Sequence, residues 1–103
     1  MVKLFYCTTD SQSSANELAA SIVEQQLAAC VNIIPGITSV YHWNNEIQHD
    51  QEWLLLIKTT DDMSEALKEA IMKIHPYDSP ELISVDVTDG LPDYLQWVQD
   101  TVK

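Results

Sequence analysis

The sequence predicts an α+β fold in the order β-α-β-β-α-β, closed by a further helix at the C-terminus. Two observations carry this. The segment Cys30–Thr60 reads as two long strands, CVNIIPGITSVYHW and EIQHDQEWLLLIKTT, meeting at Asn44-Asn45. Around it, two stretches with apolar residues at helical spacing alternate with short runs rich in β-branched and aromatic residues. Strands usually run about 5–6 residues, so this hairpin is roughly twice as long as one small domain can cover. Its distal half therefore needs cover from another copy of the chain.

The elements follow in order. Val2–Thr8 (VKLFYCT) has the composition of a strand. Asp10–Ser14 supplies helix N-cap candidates, with Ser14 and Glu17 at the spacing of a capping box. Ala15, Leu18, Ala19, Ile22, Val23 and Leu27 then form one apolar stripe, so a helix is expected to about Leu27–Ala29. In the first long strand, Pro35 has no amide hydrogen to donate, and Pro35-Gly36 predicts a bulge or bend. Asparagine tolerates positive φ, which suits Asn44-Asn45 to the turn. The continuous apolar run Trp53–Ile57 implies burial on both faces.

Asp62 and Glu65 have capping-box spacing at the start of a second helix, whose stripe is Met63, Leu67, Ala70, Ile71 and Ile74. Pro76 disfavours helical geometry at His75, so this helix stops near Ile74. After the rigid loop His75–Pro80, a strand is expected over Glu81–Thr88, with Ile83, Val85 and Val87 alternating with Ser84 and Asp86. Asp89-Gly90 turns the chain, and Pro92 suits the first turn of a last helix carrying Tyr94, Leu95, Trp97 and Val98. No linker or repeat divides the chain, so residues 1–103 are expected to form a single domain. Both main helices are expected on one face of an antiparallel sheet, and the other face again calls for self-association.

Composition limits the function. Of the residues, 46% are hydrophobic and only two are glycine, which argues for a packed core. Sixteen acidic side chains face five lysines and no arginine, for a net charge of −11. Nucleic acid binding needs clustered cations, so neither nucleic acid nor an anionic membrane is an expected partner. Such a surface attracts cations and also simply keeps a protein soluble. No apolar run is long enough to span a bilayer and no signal-peptide pattern appears, so the expected location is cytoplasmic. Two cysteines, Cys7 and Cys30, are too few for a disulfide framework and read as reduced thiols. Nothing resembles a nucleophile elbow, a phosphate loop or a zinc-hydrolase histidine pair, so no enzyme is expected.

The segments Leu27–Trp43 (LAACVNIIPGITSVYHW), Glu52 with Leu56-Ile57-Lys58-Thr59, His75-Pro76-Tyr77, Pro80-Glu81 and Tyr94-Leu95-Gln96-Trp97 together resemble the CutA divalent-cation-tolerance proteins. The resemblance covers essentially the whole chain. It implies a ferredoxin-like protomer with a long β2-β3 hairpin and a C-terminal helix, a homotrimer, and architectural kinship with PII-type signalling trimers. A response to metal ions, copper among the divalent cations, is implied as well. This chain departs from the family pattern at His42, Asn45 and Glu46, where a basic residue, a glycine and a lysine are common.

The metal set implied by the resemblance is Cys7, Glu52 and His75. A soft thiolate and a neutral imidazole suit copper, and a carboxylate balances its charge. Read without the resemblance, Cys7 is a small buried hydrophobe and His75 orders its own loop. His42 and His49 flank the hairpin turn, where isolated histidines are usually solvated. Tyr41, Trp43, Trp53 and Trp97 are assigned to the interface between copies. The alternative function is a PII-like regulatory or structural trimer that takes a small molecule or partner protein in clefts between subunits, lined by His75 and Tyr77.

Overall fold

Both central strands have the length read from the sequence. In the structure, a computed structural model describing residues 1–103, β2 spans Cys30–Trp43 and β3 spans Glu46–Thr60. The other elements are β1 (Val2–Thr9), α1 (Gln12–Glu24), α2 (Ser64–Ile74), β4 (Leu82–Asp86) and α3 (Pro92–Thr101). A 3-10 turn, Asp61–Met63, leads into α2. The four strands make one antiparallel sheet in the order β2-β3-β1-β4.

Register decides what each face buries. Phe5 lies opposite Ile57 and Cys7 opposite Leu55, so all four point to one face. On that face they pack with Ala15, Leu18 and Ile22 of α1 and Leu67 and Ile71 of α2. Burying a large apolar side chain fully contributes about 1.5–3 kcal/mol, so this cluster holds the two helices on the sheet. The opposite face is only partly covered. There α3 packs Val98 against Val2 and Ala29, with Val87, Leu95 and Val102 around them. Ile34, Ile83 and Val85 stay exposed on the same face, which is an open apolar surface.

Beyond the body the sheet narrows to a two-stranded ribbon. Pairing of β1 with β3 ends at Thr9 and Trp53, whereas β2 and β3 continue from the Ile37–Glu52 pair to Trp43–Glu46. At about 3.4 Å per residue these seven pairs add roughly 20 Å. The register shifts between Ile34 and Ile37, at the expected Pro35-Gly36 bulge, and Gly36 has φ +69. Asn44 and Asn45 have φ of 52 and 61, the paired left-handed residues of a type I′ turn.

Four expectations shift. α1 ends at Glu24, short of Leu27–Ala29. Gln26 takes the left-handed conformation at φ 59, and the amides of Gln26 and Leu27 bond to the carbonyls of Val23 and Ile22. This is a Schellman ending, normally marked by glycine, so glutamine there gave no sequence signal. The N-cap of α1 is Ser11, which accepts from the Ser14 amide at 3.1 Å, while the Ser14 hydroxyl bonds Thr9. The Asp62–Glu65 box is likewise replaced by the 3-10 turn, and α2 begins with no side-chain cap. β4 is five residues rather than eight, because its ladder with β1 runs only from Leu82 to Asp86, with the Val87 amide adding one bond to the Val2 carbonyl.

Candidate functional site

The C-terminal end of β1, the loop after α2 and the root of the ribbon meet in one place. Cys7 lies on the core face of β1 and is fully buried. Burial pushes its thiol up to about 12, and the nearby charges of Glu81 and then Glu52 push the same way. Its only hydrogen-bond partner is the Thr8 carbonyl, at 3.9 Å.

His75 caps the C-terminus of α2 in extended backbone, as Pro76 requires. Nδ1 of its ring accepts the Tyr77 amide hydrogen at 3.1 Å. The proton of the neutral ring therefore sits on Nε2, which donates to the Thr8 carbonyl at 2.8 Å. The His75 and Tyr77 rings pack at a tilt, with centroids 4.8 Å apart. Further along, the Tyr77 hydroxyl donates to Oε2 of Glu52 at 2.8 Å. Burial, then the bond to Glu52 and its charge, hold the Tyr77 phenol well above its ordinary range. Glu52 is only 8% exposed, and no lysine or histidine pairs with it.

The structure thus links His75 and Glu52 through Tyr77, and Cys7 is buried in the core one residue before the Thr8 carbonyl that His75 holds. His42 and His49 are exposed on the ribbon and face Ile47 and Val40, not each other. Tyr41, Trp43 and Trp97 are exposed, whereas Trp53 packs against the chain's own core and donates Nε1–H to Gln12 at 2.9 Å. The Thr8 carbonyl and Gln12 were not expected here. No spacing rule could have found them, because their partners His75 and Trp53 stand 67 and 41 residues away in the chain.

The sequence model of the CutA1 divalent ion tolerance protein family matches residues 3–101. The chain belongs to this family. A divalent-cation tolerance protein CutA from Thermus thermophilus is 42% identical over 100 residues, covering 97% of both chains. Mouse Protein CutA is 41% identical over 102 residues, which is 99% of this chain and 58% of the mouse protein. The chain therefore spans little more than half of that relative. Among solved structures, the Thermus thermophilus divalent cation tolerance protein superposes with a TM-score of 0.97 at 41% identity over all of both chains. A CutA from Archaeoglobus fulgidus, described as periplasmic, gives 0.96 at 30% identity, also over both whole chains.

The implied donor set does not fit copper as the chain is folded. Metal binding by a thiol requires its deprotonation, and Cys7 is held protonated in the core. Both ring nitrogens of His75 are engaged within the protein, and one Glu52 oxygen accepts from Tyr77. No group of three His, Cys, Asp or Glu side chains is placed to hold a metal ion. What the arrangement does provide is a chain of hydrogen bonds from β1 through His75 and Tyr77 to Glu52. No helix is long and apolar enough to cross a membrane.

Proposed function

We propose that the chain works as a cytoplasmic homotrimer in divalent-cation tolerance, each copy a single ferredoxin-like domain over residues 1–103 with no catalytic role. The observation that carries the assembly is the apolar surface left by the open sheet face and the ribbon. Ile83 on β4 is 59% exposed, and Trp43 and Ile47 near the ribbon tip are 63% and 62% exposed. An isolated two-stranded hairpin is marginal in water. Large aromatic and aliphatic side chains on one are what an interface between copies would bury. The strand order β2-β3-β1-β4 with both main helices on one face supports the ferredoxin-like reading. The number of copies rests on the family resemblance.

The cation link is supported by the names of the relatives and by charge. Three copies carry about −33, three times −11, which concentrates cations at the surface. Copper binding at Cys7, Glu52 and His75 carries a condition: the loop His75–Tyr77 must leave Thr8 and Glu52 before these atoms become donors. The PII-like alternative has no observation in its favour. The groove of about 260 Å³ between α1 and α2 lies on the helical side, away from the open sheet face.

Sedimentation and metal titration together test this reading. The reduced protein should sediment as a trimer and take up copper and zinc weakly, with salt weakening both alike. A single tight copper site per chain, lost in Cys7→Ser, would show instead that the loop opens.

A further inference from the structure

We propose that the Tyr77–Glu52 hydrogen bond is a clamp that fixes the direction of the ribbon and so prepares it for a second copy of the chain. The inference rests on the assembly proposed above and assigns positioning roles to Glu52 and Tyr77.

Glu52 stands at the mechanical root of the ribbon. Its neighbour Trp53 is the last β3 residue paired with β1, and Glu52 itself faces Ile37, the first β2 residue beyond the Pro35-Gly36 bulge. From this pair outward each strand has one partner only. A bulge bends and twists a strand locally, so the direction of everything beyond it depends on what holds the root. Two side-chain contacts do so. Trp53 donates to Gln12 in the first turn of α1, and Tyr77, in the loop after α2, donates to Glu52. The second runs deeper, because His75 holds the Tyr77 amide and the Thr8 carbonyl at the end of β1. The ribbon root is therefore tied to α1, α2 and β1 together.

The charge of Glu52 supports this role. A carboxylate that is nine-tenths buried without a cation is costly unless hydrogen-bonded, and the phenol is its one donor within the chain. Charge-assisted bonds of this kind are the strong ones. Swinging the ribbon would break it. A ribbon already aimed at its neighbour loses less conformational freedom on association, and preorganisation of this kind raises affinity without adding a contact.

Tyr77→Phe keeps the ring against His75 and removes only the donor. Glu52→Gln keeps an acceptor for the phenol, and Glu52→Ala removes it. Sedimentation over a dilution series reads the chain concentration at which half the trimers have dissociated, and circular dichroism checks that each variant is folded. Tyr77→Phe and Glu52→Ala should raise that concentration by about tenfold, with Glu52→Gln falling between the parent and Glu52→Ala because it keeps the acceptor and loses the charge. Equal values for the parent, Tyr77→Phe and Glu52→Ala would overturn the clamp while leaving the trimer intact. A parent protein that sediments as a monomer would overturn the assembly itself. Copper titration of Tyr77→Phe adds a separate readout. A clamp without a metal role predicts no change from the parent, whereas tighter copper binding would mean that the phenol occupies a metal ligand.

Discussion

The His75 imidazole donates to the Thr8 carbonyl at 2.8 Å, joining the end of α2 to the end of β1 across 67 residues of sequence. The bond satisfies a carbonyl just where β1 leaves the sheet, one residue from the buried Cys7. Removing it leaves the buried Thr8 carbonyl with only the long 3.9 Å contact from the Cys7 thiol. An under-satisfied buried acceptor typically costs about 1–3 kcal/mol. His75→Ala should therefore lower the unfolding free energy by about that amount in urea titrations. A neutral result would mean that water replaces the imidazole.

Burial of Cys7 gives a reactivity and a pH prediction. With Cys30 replaced by serine, the one remaining thiol should stay unmodified by a disulfide reagent until the protein unfolds. The folded chain holds this proton up to about 12, whereas an ordinary thiol releases it near 9.0. The stability from the neutral thiol is complete below pH 9 and is lost as pH rises from there towards 12. The slope is at most about 1.4 kcal/mol per pH unit. The raised phenol of Tyr77 acts in the same direction. Cys7→Ala should flatten the fall in unfolding free energy between pH 9 and 11; an unchanged slope would mean that Cys7 titrates normally.

Gln26 holds a left-handed backbone at the Schellman ending of α1, a conformation glycine adopts without steric cost. Gln26→Gly should raise stability by about 0.5–1 kcal/mol, despite losing a 3.4 Å contact from its amide to the Thr101 carbonyl. Gln26→Val should lower it. Thermal denaturation of the two variants gives the sign directly.

Much of the fold was legible because its signals are local. Asn44-Asn45 marked the turn, Pro35-Gly36 the bulge and Pro76 the end of α2, and each acts through its own backbone preference. The end of α1 was not legible, because Gln26 adopts the left-handed conformation without a glycine to announce it. Both capping boxes misled for a related reason. Ser11 and the Asp61–Met63 turn satisfy the helix starts, and the serine and acidic residues nearby offered several equivalent choices. At the site, the family resemblance named Cys7, Glu52 and His75 together but not the contacts that each makes. Which nitrogen of His75 carries the proton depends on how its loop folds back to bring the Tyr77 amide and the Thr8 carbonyl to the ring. The phenol reaches Glu52 across 25 residues of sequence.

Placing a charge on the open face should separate assembly from folding. Ile83 is exposed on the side of β4 away from the core, so Ile83→Asp disturbs no contact of the main core. Its circular dichroism should match that of the parent at matched concentration once both are monomeric, while its sedimentation should show loss of the larger species. A variant still assembled at micromolar concentration would remove the open face from the interface.

The solution mass of the unmodified protein at micromolar concentration bears on all of this. A chain of 11.7 kDa assembled three times gives about 35 kDa, and that is the expected value. A stable species at 11.7 kDa would mean that the open face and the ribbon stand in water unaided, and that the long Cys30–Thr60 hairpin has a purpose other than assembly.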